Sequence, residues 1–284
     1  MIPMAFDYVR ATSLDDAVAR LTAAGGAGKL IAGGHSIVPL MKLRLSEPRV
    51  LVDIARIPDL AGIRERNGKI VIGAATVHHD VATSPLLRER CPMIAEAAAT
   101  IGDPQVRNRG TMGGSVAHAD PAADMPAVLV ALDAEIHMKG PNGWRVVAAS
   151  AFFKDVFTVN MASDEIIAAI QFTPVRTAAY AKLRHRASHY AIVGVAAVLD
   201  VDGRTITSAR IGLTGATSHA QRLGSVERAL AGRPLSNEAV DAAAELASEG
   251  LSGINSDIHA SAEYRHAMVR VFTRRALRGA LART

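Results

Sequence analysis

The residues best suited to chemistry in this chain lie in two short glycine loops, Ala32-Gly33-Gly34-His35-Ser36 and Thr111-Met112-Gly113-Gly114-Ser115. Each joins paired glycines to a hydroxyl residue, between an apolar stretch and a segment that reads as a helix. Paired glycines let the main chain approach a ligand closely, because no Cβ intervenes and positive φ is open to them. Successive N–H groups in such a turn make an anion-binding concavity, and a helix start behind it adds partial positive charge. Two loops of nearly the same form predict a diphosphate-containing ligand gripped from two sides.

Neither loop fits the common nucleotide fingerprints G-x-G-x-x-G or G-x-x-x-x-G-K-[ST]. Gly34-His35-Ser36 opens the serine-hydrolase pattern G-x-S-x-G, with Ser36 as nucleophile. Val38 stands where the last glycine must relieve crowding at a strained elbow. Ser36 is also placed to cap the helix after the first loop, with Pro39 tolerated in its first turn. The second loop sits in a polar stretch of weak periodicity that runs from Ile101 to Asp124. A long irregular connection in a compact domain is usually functional. Asp120 and Asp124 suit acceptance from ligand hydroxyls, and equally suit capping the next helix.

Three runs, AGGHSIVPLMKLR, DPQVRNRGTMGGSVAHADPAADMPA and YAKLRHRASHYAIVGVAA, resemble the FAD-binding medium subunit of the molybdenum hydroxylases, and within it that of aerobic carbon monoxide dehydrogenase. The likeness extends from Phe6-Asp7-Tyr8 to the final arginine-rich helix. It implies FAD as cofactor, with Ala32, Gly33, Gly34, His35 and Ser36, and Thr111, Gly113, Gly114 and Ser115, around the pyrophosphate and ribityl chain. It further implies cofactor contacts from Ile101, from Asp124 as the family's ligand aspartate, from Ile167 as an apolar flavin contact and from Lys182 as a nearby basic residue. Tyr190 falls beside the isoalloxazine ring. The fold implied is α+β, a two-part FAD-binding domain of the vanillyl-alcohol-oxidase (PCMH) type followed by a C-terminal domain with a small antiparallel sheet and a helix bundle. The implied partners are a small iron–sulfur subunit and a large molybdenum-cofactor subunit, assembled as a dimer of heterotrimers. Two departures stand out: Ser115 where many relatives have asparagine, and His189 where relatives often carry aspartate.

Composition agrees with such a role. Apolar residues make up 49% and charged residues 21% of the 284, a soluble globular balance. No apolar stretch approaches the roughly 20 residues that span a bilayer. The opening Met1–Asp7 lacks the pattern of a signal peptide, so a cytoplasmic location is expected. Cys91 is the only cysteine; it excludes an intrachain disulfide and cannot alone hold an iron–sulfur cluster, which needs about four thiolates. Any cluster in the electron path therefore belongs to another chain. His78 and His79 are adjacent in what reads as a solvated turn, without metal-ligand spacing. The net charge of +5 is concentrated in the last helix, where Arg265, Arg270, Arg274, Arg275, Arg278 and Arg283 alternate with Met268, Phe272, Ala276, Leu277 and Leu281. That alternation is amphipathic and predicts a solvated or partner-facing helix. Nucleic-acid binding would call for an aromatic platform beside the arginines.

Elements that must position these residues follow from pattern. A helix is expected over 14–24, capped by Ser13, and short strands over 29–32 and 50–54. Hairpins are expected around Asn67-Gly68, Pro141-Asn142-Gly143 and Asp202-Gly203. Helices are expected over 93–101 and 124–132, with a strand over 165–173. Three helices, over 225–231, 237–248 and 260–281, follow the last hairpin and give an α+β C-terminal domain. The expected division is 1–176 for the FAD-binding domain and 177–284 for the C-terminal domain. The reading that follows is an electron-transfer flavoprotein subunit delivering to a quinone, NAD or another acceptor. The alternatives are a stand-alone FAD oxidoreductase with its own substrate site, and a serine hydrolase using Ser36.

Overall fold

The computed structural model describes residues 2–284. It begins with β1 (Asp7–Arg10), α1 (Leu14–Ala23), β2 (Gly28–Ile31), α2 (Ile37–Lys42) and β3 (Val50–Asp53). The three strands form a parallel sheet in the order β1-β3-β2. Ser13 starts α1 by accepting the Asp16 N–H, and Asp15 and Asp16 occupy the first turn, where carboxylates suit the helix dipole. Ala17, Val18 and Leu21 form the buried stripe of α1 that seats it on this sheet.

β4 (Ile63–Arg66) and β5 (Lys69–Gly73) close the expected hairpin, with Asn67 and Gly68 both at positive φ, as a primed two-residue turn requires. A helical stretch follows: α3 (His78–Thr83), α4 (Pro85–Arg90), α5 (Pro92–Ala99), α6 (Pro104–Arg107), α7 (Met112–His118) and α8 (Asp124–Ala131). The polar connection that reads as irregular in sequence is thus largely short helices, each too brief to show a period. Proline opens α4, α5 and α6, where its missing N–H costs nothing. The His78-His79 pair lies at the start of α3, not in a solvated turn, and His78 is buried.

β6 (Glu135–Gly140) and β7 (Gly143–Ala148) form the next hairpin; then come α9 (Ala149–Phe152), β8 (Phe153–Asp155), β9 (Thr158–Val159) and β10 (Ile166–Phe172). The five-stranded antiparallel sheet runs β4-β5-β10-β6-β7. The remainder is β11 (Ala178–Arg184), β12 (Ala191–Asp202), β13 (Thr205–Thr214), β14 (Gln221–Arg222), α10 (Gly224–Leu230), β15 (Arg233–Pro234), α11 (Asn237–Glu245) and α12 (Ala262–Leu281). Its sheet is β11-β12-β13-β14, with β15 on β13.

β12 has apolar residues on both faces because both faces are covered. Ala196 and Val198 enter the core beneath α8, while Val195, Ala197 and Leu199 enter the core beneath α12. Close approach of α8 is set by Gly212, where a Cβ would lie 2.1 Å from the Ala127 carbonyl oxygen. The last helix is amphipathic as expected, with Arg275 and Arg278 on its exposed side, although Arg265 at its start is buried. Its apolar side packs on the C-terminal sheet, and Arg274 and Arg278 pair with Glu245 and Asp241 of α11.

Candidate functional site

The two glycine loops touch. A Cβ at Gly33 would lie 2.1 Å from the carbonyl oxygen of Arg109 and 3.0 Å from Gly110 Cα. Only glycine permits that approach, and Arg109-Gly110 leads directly into Thr111. Gly34 takes φ +76°, the left-handed region that favours glycine.

The loops differ in what their amides do. The N–H groups of Gly33, Gly34, His35, Ser36 and Ile37 meet no acceptor among the described residues. A run of free donors of this kind suits an anion. In the second loop the N–H groups of Met112 to Ser115 are spent inside the protein, and that of Thr111 meets no acceptor among the described residues. Met112 donates to Thr76 O at 2.9 Å, Gly113 to Ala74 O at 2.8 Å and Ser115 to Thr111 O at 3.0 Å. Gly114 donates to Thr111 Oγ1 at 3.1 Å. The run of free amides is therefore longer at the first loop, and the second is braced through Met112 to Ser115. Gly113 belongs to that bracing, since a Cβ there would stand 2.5 Å from Ala74 Cβ. Gly114 is exposed and the Ser115 side chain is half-buried at the surface of this loop.

Ser36 sits at the N-cap of α2, yet its hydroxyl makes no capping bond. The neighbouring imidazole of His35 is engaged with Gly33 O at 3.1 Å. No histidine or carboxylate activates Ser36 among the described residues, so nothing here builds a hydrolase nucleophile.

Asp124, at the first turn of α8, is buried with an equally buried partner. Its Oδ2 lies 2.8 Å from Lys182 Nζ, and Tyr180 OH donates to Oδ1 at 2.5 Å. Burial pushes the Asp124 carboxyl above its ordinary range, opposed by the Lys182 charge and by both hydrogen bonds. Burial and the neighbouring carboxylate together hold Tyr180 firmly protonated. Lys182 also reaches Thr100 O at 3.2 Å. Tyr180 is the site residue that sequence reasoning missed. Its signal was there: Tyr180 and Lys182 alternate on β11, so both project from one face.

Tyr190 follows a tight turn between β11 and β12. Its side chain is 44% exposed, and burial of the rest, with Asp120 and Asp124 nearby, pushes its hydroxyl up to about 12. The Ala191 N–H donates to Ala122 O at 3.0 Å, which sets this turn beside the Asp120–Asp124 segment. His189 Nδ1 meets Gly102 O at 2.7 Å, and Ile101 beside it is half-buried against the core. Ala32 lines the base of the first loop, half-buried on the small parallel sheet. Ile167 is 4% exposed within β10 and lies in the core. A separate cavity of about 430 Å³, where the two halves join, shares no lining residue with either loop, and its charges Lys69–Glu135 and Arg210–Asp200 are mutually paired.

Comparison with known proteins decides what this arrangement belongs to. Residues 4–174 match the family described as FAD binding domain in molybdopterin dehydrogenase, and residues 178–280 match the CO dehydrogenase flavoprotein C-terminal domain. The chain belongs to the FAD-binding medium subunits of the molybdenum hydroxylases. It is similar to the carbon monoxide dehydrogenase medium chain of Hydrogenophaga pseudoflava, 41% identical over 286 aligned positions that cover 100% of this chain and 99% of that one. It is also similar to the 6-hydroxypseudooxynicotine dehydrogenase complex subunit alpha of Paenarthrobacter nicotinovorans, at 40% identity covering 100% and 97%. Among solved structures, carbon monoxide dehydrogenase from Hydrogenophaga pseudoflava superposes with a TM-score of 0.95 at 42% identity, covering 100% of this chain and 99% of that chain. The expected flavoprotein fold and FAD as cofactor are borne out by this membership. The chain is thus a flavoprotein oxidoreductase subunit. No helix among the described residues is long and apolar enough to cross a membrane.

Proposed function

We propose that this subunit carries electrons in a molybdenum hydroxylase complex, from iron–sulfur clusters of a small partner subunit to a quinone, NAD or another acceptor. A large molybdenum-cofactor subunit would oxidise the substrate. FAD supplies the redox chemistry when bound, and the protein binds, orients and insulates it. The observation that carries this reading is the run of five unpartnered amides, Gly33 to Ile37, closed against Arg109 and Gly110.

In this reading Gly33, Gly34, His35 and Ser36 hold the diphosphate through their N–H groups, with Ala32 beneath them. Thr111, Gly113, Gly114 and Ser115 form the facing wall, and the Ser115 hydroxyl is its free donor. Asp124, hydrogen-bonded by Lys182 and Tyr180, offers its remaining lone pairs to a cofactor hydroxyl. Tyr190 lies against the ring, while Ile101 and Ile167 support its apolar side. No residue is assigned proton transfer. The division at 176/177 is part of the same proposal, supported by the break between β10, ending at Phe172, and β11, starting at Ala178. So is a cytoplasmic setting, supported by the lone Cys91 thiol, which is free and buried.

Substrate choice would rest with the molybdenum subunit. In support, the similar chains named above belong to enzymes of carbon monoxide and of 6-hydroxypseudooxynicotine. The test is to isolate the native complex and follow flavin absorbance on adding substrate. Bleaching in the complex but not in the separated chain is expected. Bleaching of the separated chain by substrate alone would replace this reading with a stand-alone oxidoreductase.

A further inference from the structure

We infer that His189 latches the turn carrying Tyr190 onto the leader of the second glycine loop, and so holds the ring end and the diphosphate end of the site in register. What the site holds rests on the function proposed above; the latch itself is a contact within the chain. His189 has φ +61°, a left-handed conformation that only asparagine, aspartate and histidine visit with any ease among side-chain-bearing residues. The turn around it is closed by the His189 N–H on His185 O at 3.0 Å and the His185 N–H on Tyr190 O at 2.8 Å. With its backbone bent this way, the imidazole crosses to the FAD-binding half and meets Gly102 O at 2.7 Å, 87 positions away in sequence. A carbonyl only accepts, so Nδ1 carries the proton in this contact.

Gly102 O is also the point at which the leader is braced. Arg107 Nη1 donates to it at 3.2 Å and to Ile101 O at 2.9 Å. From Arg107 the chain reaches Arg109, whose carbonyl is the atom that Gly33 packs against. Tyr190, His189, Gly102, Arg107, Arg109 and Gly33 therefore form one continuous line of contact from ring end to diphosphate end. Lys182 gives the same hairpin a second hold on the leader through Thr100 O, but its charge is committed to Asp124. His189 is the tie with no other partner in that line.

Two substitutions isolate the hydrogen bond from the backbone. Asparagine and glycine both tolerate positive φ, and only asparagine keeps a donor where Nδ1 stands. FAD titration of the full chain by flavin fluorescence and absorbance should leave His189→Asn within about twofold of the parent. His189→Gly, which removes the contact to Gly102 O, should weaken binding by about tenfold and shift the flavin bands as the Tyr190 turn loosens. Equal affinity and equal spectra for all three would overturn the latch. Hydrogen exchange on the FAD-free chain gives an independent readout: His189→Gly should speed exchange in 185–191 and 100–110 together, and His189→Asn should not. Unchanged exchange over 100–110 in the glycine variant overturns the latch, whereas a parent chain that takes up no FAD overturns the functional reading instead.

Discussion

At Gly33 the absence of a side chain is what allows two distant loops to meet. Gly33→Ala forces a methyl to 2.1 Å from Arg109 O, and relief by moving backbone costs about 1–3 kcal/mol. FAD affinity, measured by titration, should fall by about tenfold or more with far-UV circular dichroism unchanged; an unaltered affinity would contradict the contact. Lys182 makes a second residue-scale case. Lys182→Met leaves the Asp124 carboxylate buried without its cation, a loss of about 3–5 kcal/mol readable by urea denaturation. Burial raises the folded-state pKa of Asp124, so without Lys182 the folded protein keeps that proton to higher pH than the unfolded chain does. Stability is then full at low pH and is lost as pH rises above the carboxylate range near about 4. The deficit of the variant against the parent should therefore be larger at about pH 7 than at about pH 5, and a constant deficit would contradict the assignment. The paired glycines were legible as points of close main-chain approach, as found at Gly33. Which loop donates was not, because the acceptors of Met112 and Gly113 are Thr76 and Ala74, which no local pattern links to them.

Among elements, α12 separates two kinds of arginine that look alike in sequence. Arg278 pairs with Asp241 on the surface, an arrangement worth less than about 1 kcal/mol. Arg265 is 4% exposed and donates to Ile192 O and Gly215 O, both at 2.7 Å, and to Asp257 at 2.5 Å. It ties the start of α12 to the ends of β12 and β13. Arg278→Ala should cost less than about 1 kcal/mol, and Arg265→Met about 2–4 kcal/mol; similar midpoints in urea would refute the distinction. The amphipathic period of this helix was readable, and so were the hairpins at Asn67-Gly68 and Asp202-Gly203, because turn chemistry is local. Short helices such as α3, α4 and α6 were not, since one turn carries no period and tertiary packing decides them. His78 shows the same limit: paired histidines look solvated, yet packing of α3 beside Gly110 buries the first of them.

Across the whole molecule, the FAD-binding and C-terminal halves share one core. Ala178, Ala196, Val198 and Ala220 of the C-terminal half enter the cluster built by α5, α8 and the five-stranded sheet. Thr214 Oγ1 bonds Pro121 O and Ala123 O, both at 2.8 Å, just ahead of Asp124. The near-continuous apolar run of β12 announced burial on both faces, although nothing in the run said which element would cover each. This shared core is what places Tyr190 and Lys182 from one half beside the Asp120–Asp124 segment of the other. The most direct measurement is residue-resolved hydrogen exchange of the full chain with and without FAD. Slowed exchange is expected at the N–H groups of Gly33 to Ile37, with little change at Met112 to Ser115, which are already bonded within the protein. A flavin-loaded chain whose Gly33–Ile37 amides exchange as fast as those of the free chain would contradict it.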